Sequence, residues 1–289
     1  HQNRLIHPCH TPKLATKFCP NLSTTLRDPT LAFPNNLTLH TVRERNPAVW
    51  AGGSQPWACT PMQRVAVLIP HRDREQHLTH LLAHLHPMLQ RQQLHYTIYV
   101  IHQTGDFMFN RAKLLNVGFL EAMKDVAWDC VILHDVDLIP EDDRNLYLCG
   151  QQPRHLVVGR NFTGYKLRYK GYFGGVTAMS AQQFRDVNGV FQTSSGGGGE
   201  KMMSYGRGNF YVGMKVDRPP AEVARYTMIF HDRDEHGNRI NNERVALLYR
   251  PREVMYSDGM NSCRYKLLSR TVNPLYINVT VNIGTDKEL

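Results

Sequence analysis

Val65-Ala66-Val67-Leu68-Ile69-Pro70-His71-Arg72-Asp73-Arg74 passes from an unbroken apolar run, through proline, into mixed charge. A short apolar run rich in β-branched residues is too brief for an amphipathic helix and fits a strand covered on both faces, with Pro70 expected to end it. Working outward, Leu78, Leu81, Leu82, Leu85 and Leu89 fall at helical spacing, and Tyr96 to Ile101 reads as a second strand. Ala112, Leu115, Phe119 and Met123 form another helical stripe before a third strand, Cys130 to Leu133. Strand, helix, strand, helix, strand predicts an α/β fold with a mostly parallel central sheet flanked by helices. Residues 1–62 are rich in Pro, Asn, Thr and Ser without periodicity, which predicts an irregular arm over a globular unit at 63–289.

Ligands of parallel sheets bind at the carboxyl ends of the strands, and two of the three strands end in charged segments. His134-Asp135-Val136-Asp137 follows the third strand directly, so period-two alternation is expected to aim both carboxylates the same way. Such a pair suits a hard divalent cation, which would neutralise charge on a departing diphosphate. Pro70, Arg72 and Arg74 lie at the neighbouring strand end, where a guanidinium fork matches phosphate oxygens. Met228-Ile229-Phe230-His231 can add a thioether and an imidazole, and a soft sulfur donor favours manganese over magnesium. Each feature also has a plainer reading: a solvated turn for D-x-D, surface ion pairs with Asp73 and Glu75 for the arginines, core filling for Met228. Gly171 to Val176 reads as turn-rich, and the glycine-dominated stretch Ser194 to Gly199 as a candidate lid.

The formal charge is +9, yet no Lys/Arg run is interleaved with aromatics as a nucleic-acid groove requires, so no nucleic-acid partner is expected. With 42% hydrophobic residues and no apolar run of membrane-spanning length, the sequence describes a soluble globular domain. It opens at His1 without a leader, so a membrane anchor is expected in the full-length protein ahead of it. Asn21-Leu22-Ser23, Asn36-Leu37-Thr38, Asn161-Phe162-Thr163 and Asn278-Val279-Thr280 fit the N-glycosylation pattern, as in a luminal protein. The cysteines at 9, 19, 59, 130, 149 and 263 lack zinc-site spacing and read as disulfides of an oxidising compartment or as buried thiols, with connectivity open.

Four segments carry a family likeness: Phe109-Asn110-Arg111-Ala112-Lys113-Leu114-Leu115-Asn116, Asp135-Val136-Asp137-Leu138-Ile139-Pro140, Tyr172-Phe173-Gly174-Gly175-Val176 and Asp258-Gly259-Met260-Asn261-Ser262. Together they resemble the β-1,4-galactosyltransferases, Golgi enzymes of glycosyltransferase-A fold, from about Cys59 to Thr285. The resemblance makes 63–289 the catalytic domain and implies inverting transfer of galactose from UDP-galactose to the 4-hydroxyl of N-acetylglucosamine-terminated glycans. It implies Asp137, Met228 and His231 as Mn2+ ligands, with Pro70, Arg72, Arg74, Phe109, Arg111, Asp135 and Val136 around UDP. It further implies a galactose donor from the aromatic Tyr172, where a smaller residue goes with N-acetylgalactosamine. Disulfides Cys130–Cys149 and Cys19–Cys59 are implied too, as is a Golgi-lumen location or a secreted soluble form.

One segment departs from the family. Where its pattern runs W-G-W-G-G-E-D-D-D, this chain reads Ser195-Gly196-Gly197-Gly198-Gly199-Glu200-Lys201-Met202-Met203-Ser204. The acidic cluster that takes the acceptor proton is absent, and Glu200 is the nearest candidate for a catalytic carboxylate. A run GGG-GGA-GAA-GAT-GAT read one base late gives Gly-Glu-Lys-Met-Met, so Val190 to Gly213 reads as a frame-shifted stretch. Lys201, Met202 and Met203 then overlie Glu-Asp-Asp, and the chain as written is expected to bind donor but transfer poorly.

Overall fold

The computed structural model describes residues 17–20, 26, 30–106, 108–190, 213–230 and 256–284. In chain order the elements are α1 (Leu39–Arg45), β1 (Gly53–Ser54), β2 (Arg64–His71), α2 (Glu75–Arg91), β3 (His95–Gln103), α3 (Arg111–Ala122), β4 (Cys130–His134) and β5 (Leu138–Pro140). There follow β6 (Arg154–His155), β7 (Gly159–Arg160), β8 (Val176–Ser180), α4 (Ala181–Asp186), β9 (Arg225–Met228), β10 (Lys266–Val272) and β11 (Ile277–Asn282). The large sheet has the order β10-β11-β3-β2-β4-β8-β6, with β1 also on β3; β5-β9-β7 form a small second sheet.

The strand–helix alternation predicted between 65 and 133 is present. The central strands β11, β3, β2 and β4 are mutually parallel. Antiparallel pairings flank them, β10 on β11, β8 on β4 and β6 on β8, so the sheet as a whole is mixed.

Why β2 is apolar throughout follows from its two covers. Val65, Val67 and Ile69 face the cluster that holds Leu78, Leu81, Leu82, Leu85 and Leu89 of α2. Ala66 and Leu68 face Leu114, Leu115, Val117 and Phe119 of α3, with Phe184 of α4 behind them. Both faces therefore need apolar side chains.

Pro70 does not end the strand; β2 runs on to His71. Arg64 turns its amide and carbonyl toward Asp129, on the β4 side, and alternation puts the Pro70 nitrogen on that same side. The β4 ladder stops at Leu68, so a residue without an N–H forfeits no bond there.

The stretch expected to be an irregular arm contributes α1, whose Thr38 hydroxyl accepts from the Thr41 amide, and β1, which pairs with β3. Val42 of α1 is buried in the α2-side core. Cys19–Cys59 and Cys130–Cys149 are disulfide-bonded, as the resemblance implied. Cys263 is a free thiol, and Cys9 lies outside the described residues. Among the described residues no helix is long and apolar enough to cross a membrane.

Candidate active site

Parallel strands end together, so the carboxyl ends of β2, β3 and β4 form one edge. At the β2 end the Arg72 guanidinium lies 5.3 Å from the centre of the Phe109 ring, tying it to the loop before α3. That loop is fixed by Asn110, whose amide donates to Gln103 Oε1 at 2.9 Å and whose side chain caps α3 by accepting from Lys113 N at 3.0 Å. Arg111, the first residue of α3, then donates from Nε to Asp135 Oδ1 at 2.5 Å and from Nη2 to Gly175 O at 3.5 Å. Arg74 is the residue that opens α2. Two arginines at helix N-termini, with Arg72 beside them, make this edge favourable for an anion such as a diphosphate. Pro70, Arg72, Phe109, Arg111 and Asp135 thus lie along this edge, and Val136 packs its half-buried side chain on the core.

The D-V-D geometry differs from the expectation. Strand alternation stops at His134, and the chain turns through Asp135–Leu138, with Leu138 N donating to Asp135 O at 3.4 Å. The turn carries the chain out of the large sheet and into β5 of the small one, so the two carboxylates are placed by a turn instead of by period-two alternation. Asp135 is engaged with Arg111, while Asp137 stands at the head of β5. Gly175 permits this: its carbonyl accepts from Asp135 N at 3.0 Å, and its φ is +81°. A Cβ there would lie 2.8 Å from both Arg160 Nη2 and Leu138 Cδ1.

Asp137 and Met228 are brought together although 91 positions separate them in sequence. Leu138 is registered opposite Met228 in the β5–β9 pairing, and Ile229 N donates to Asp137 O at 2.9 Å. Asn161 secures the same strand, its Oδ1 accepting from Met228 N at 2.9 Å and from Phe162 N at 2.7 Å. The Met228 side chain packs in part on the α2-side core; a hard carboxylate and a soft thioether drawn from these neighbouring positions would be a donor set that fits manganese better than magnesium. His231 and Glu200 lie outside the described residues, as do Lys201, Met202 and Met203. Among the described residues no three His, Cys, Asp or Glu side chains gather as a metal site.

Tyr172 is only 2% exposed. Its hydroxyl accepts from Arg160 Nη2, and its carbonyl accepts from Arg218 Nη2 at 2.9 Å. His155 packs edge-on to its ring at 5.3 Å, and Arg168 lies 5.6 Å from the ring centre. Burial, with Arg218 and Arg160 nearby, pushes the His155 imidazole down to about 3. Burial likewise pushes His134 down to about 4, so both rings are neutral at physiological pH.

Sequence reasoning missed Asn161 as a support for Met228, having read it only as part of a glycosylation pattern. Asn278, in another such pattern, lies in β11 and donates its Nδ2 to Thr280 Oγ1 at 3.0 Å. The roles of Asn110 and Gly175 were also missed, although both sit inside the quoted motifs.

Comparison with known proteins follows the same lines. Residues 19–150 match the model for the N-terminal region of glycosyl transferase group 7, and residues 154–232 that for the N-terminal domain of galactosyltransferase. β-1,4-galactosyltransferase 4 of Cricetulus griseus is 54% identical over 285 residues, 98% of this chain and 82% of the relative. The Homo sapiens protein of that name is 54% identical over 279 residues, 96% of this chain and 80% of its own. Among solved structures, a variant of Drosophila β-1,4-galactosyltransferase 7 in complex with manganese, UDP-Gal and xylobiose superposes with a TM-score of 0.63 at 25% identity, over 78% of this chain and 97% of that one.

Proposed function

The chain belongs to the β-1,4-galactosyltransferase family and is a galactosyltransferase of glycosyltransferase-A fold, and from that premise we propose how its residues divide the work. Asp137 and Met228 hold Mn2+ with His231. Pro70, Arg72, Arg74, Phe109, Arg111, Asp135 and Val136 surround UDP, and Tyr172 selects galactose. The acceptor is the 4-hydroxyl of a terminal N-acetylglucosamine, reached in the Golgi lumen; two disulfides suit that oxidising compartment. The observation that supports the reading is the β5–β9 pairing, which sets Leu138 against Met228 and, through Ile229 N on Asp137 O, brings Asp137 to the end of β9, two residues along from Asp135 and its Arg111 partner.

When bound, the cation neutralises charge developing on the diphosphate oxygens. Arg72, Arg74 and Arg111 hold those oxygens in place, lowering the entropic part of the barrier by fixing the donor. Arg111 orients Asp135 in turn, so the donor cradle and the D-V-D turn are one rigid piece. The acceptor hydroxyl must give up a proton as the new bond forms, and the segment carrying Glu200 supplies Lys201, Met202 and Met203 where the family supplies acid residues. Lysine is protonated and methionine has no acid–base function at neutral pH. The chain as written therefore binds UDP with Mn2+ and transfers galactose slowly.

Calorimetry with UDP and Mn2+, paired with transfer of labelled galactose to an N-acetylglucosamine acceptor, tests both halves. Binding with weak turnover is expected; normal turnover contradicts the second half, and no binding contradicts the first. Binding with no turnover at all supports a second reading, a UDP- or glycan-binding homologue without activity, which the missing acidic cluster favours. Comparison with UDP-N-acetylgalactosamine tests the donor: preference for it over UDP-galactose would contradict the role given to Tyr172.

A further inference from the structure

Beneath the D-V-D turn four polar side chains are buried in a row. His134, Tyr147, Tyr226 and Asn145 are each 0% exposed. His134 Nδ1 lies 2.8 Å from Asp135 O, and a carbonyl can only accept, so the ring proton sits on Nδ1. Nε2 is then an acceptor, and the Tyr147 hydroxyl donates to it at 2.9 Å. With its proton committed, the Tyr147 oxygen accepts from the Tyr226 hydroxyl at 3.0 Å. The Tyr226 oxygen accepts in turn from Asn145 Nδ2 at 3.2 Å. Each direction is fixed by the one before it.

The ends of this chain are the informative part. One is the Asp135 carbonyl, inside the turn that leads to Asp137. Toward the other end, before Asn145, Tyr226 sits on β9, two residues before Met228 and registered opposite Pro140 of β5. Tyr147 is anchored independently: its N–H donates to Gln92 Oε1 at 3.0 Å, and Cys149, two residues on, is disulfide-bonded to Cys130 at the start of β4. His134 closes β4 of the large sheet and Tyr226 lies on β9 of the small one, strands not laddered to one another among the described residues, so these side chains tie the two sheets together beside the backbone bond from Ile229 N to Asp137 O.

We propose that His134, Tyr147 and Tyr226 act as a positioning chain that braces the D-V-D turn against β9 from behind and so, together with the Ile229 N–Asp137 O bond, tunes the span between Asp137 and Met228 across which Mn2+ is held. The inference rests on the donor-site assignment above. Groups that orient metal ligands from behind typically change affinity by about tenfold to a hundredfold when removed. Tyrosine-to-phenylalanine changes suit the test because they keep the ring and remove only the hydroxyl.

The experiment measures Mn2+ affinity of the full chain with UDP present, from the free-ion electron paramagnetic resonance signal, at a temperature well below the unfolding of every variant. Tyr147→Phe is expected to weaken Mn2+ binding about tenfold, and Tyr226→Phe by a smaller factor in the same direction. The double variant should lose little more than Tyr147→Phe alone, because members of one chain do not add. Tyr99→Phe is the control: it removes another buried hydroxyl, bonded to Asp125 Oδ2 at 2.8 Å and remote from the turn, and should leave Mn2+ affinity unchanged. Wild-type protein that binds no Mn2+ would overturn the donor-site assignment itself. Wild-type binding with Tyr147→Phe and Tyr226→Phe within twofold of it, or with Tyr99→Phe equally impaired, would overturn the positioning chain alone. Should Tyr147→Phe not fold, Tyr226→Phe decides by the same criterion.

Discussion

The two sheets of this molecule meet at the proposed donor site but are built by opposite means. The edge of the large sheet is assembled from strand ends, and its contacts are charged: Arg111 on Asp135, and the Arg72 guanidinium over Phe109. The small sheet is assembled from two to four residues per strand, contributed by segments far apart in sequence. Around Met228 its contacts are neutral, Asn161 on Met228 N and Tyr147 on Tyr226, while Arg160 and Arg225 lie over the rings of Tyr172 and Tyr165. The charged edge is suited to an anionic donor, whereas the hydrogen-bonded surroundings of Met228 are suited to holding a pair of metal ligands at a set distance. Damage to the first should appear in nucleotide affinity, and damage to the second in metal affinity.

The largest effect is expected outside both sheets. Restoring carboxylates by Lys201→Glu, Met202→Asp and Met203→Asp should raise transfer by about a hundredfold to ten-thousandfold without changing UDP affinity. A transfer assay on this triple variant that shows no gain would contradict the role given to the missing cluster, and sequencing the transcript over 190–213 would separately decide whether the reading frame is displaced. Next, Arg111→Ala removes a charge-assisted contact and leaves Asp135 without that partner, so UDP affinity should fall roughly tenfold to a hundredfold. If calorimetry shows instead that only Mn2+ affinity falls, the division between the sheets is wrong.

The difference in construction also explains what was legible in sequence. Both covers of β2 leave their mark in its continuous apolar run, and the heptad-like leucines of α2 mark the face it buries, so the parallel core could be read directly. Pro70 misled because its effect depends on which side its nitrogen faces and on where the β4 ladder stops. The D-V-D turn misled because period two holds only while a strand continues, and nothing in those residues announces a change of sheet. Asp137 and Met228 could be paired only through family likeness. Tyr147 and Tyr226 have no mutual spacing or pattern, since their partnership arises from tertiary packing alone.

Asn161→Ala probes the small sheet more gently. Losing the acceptor for Met228 N should weaken Mn2+ binding several-fold while UDP affinity in the absence of metal is unchanged. Equal loss of both would show that the two sheets do not act separately.

The last effect concerns stability against pH and no ligand. His86 and His134 are each pushed down to about 4 and His155 to about 3, in every case chiefly by burial. Their folded values lie below the unfolded value of about 6.5, so the unfolded chain binds more protons in acid. Stability is therefore fully present above about pH 6.5 and is lost as pH falls toward 4, with a slope of up to about 1.4 kcal/mol per pH unit for each ring. Calorimetric Tm should drop from pH 7 to pH 5, and a Tm that is flat or rises would contradict burial of three neutral imidazoles.

The central claim is that one cation is shared between the head of β5 and the end of β9. Diffraction from crystals grown with UDP and Mn2+, recorded at the manganese absorption edge, tests it directly. The account predicts one anomalous peak in bonding contact with both an Asp137 carboxylate oxygen and Met228 Sδ. A peak bound to Asp135 but not Asp137, or one that leaves Met228 out of contact, would contradict it.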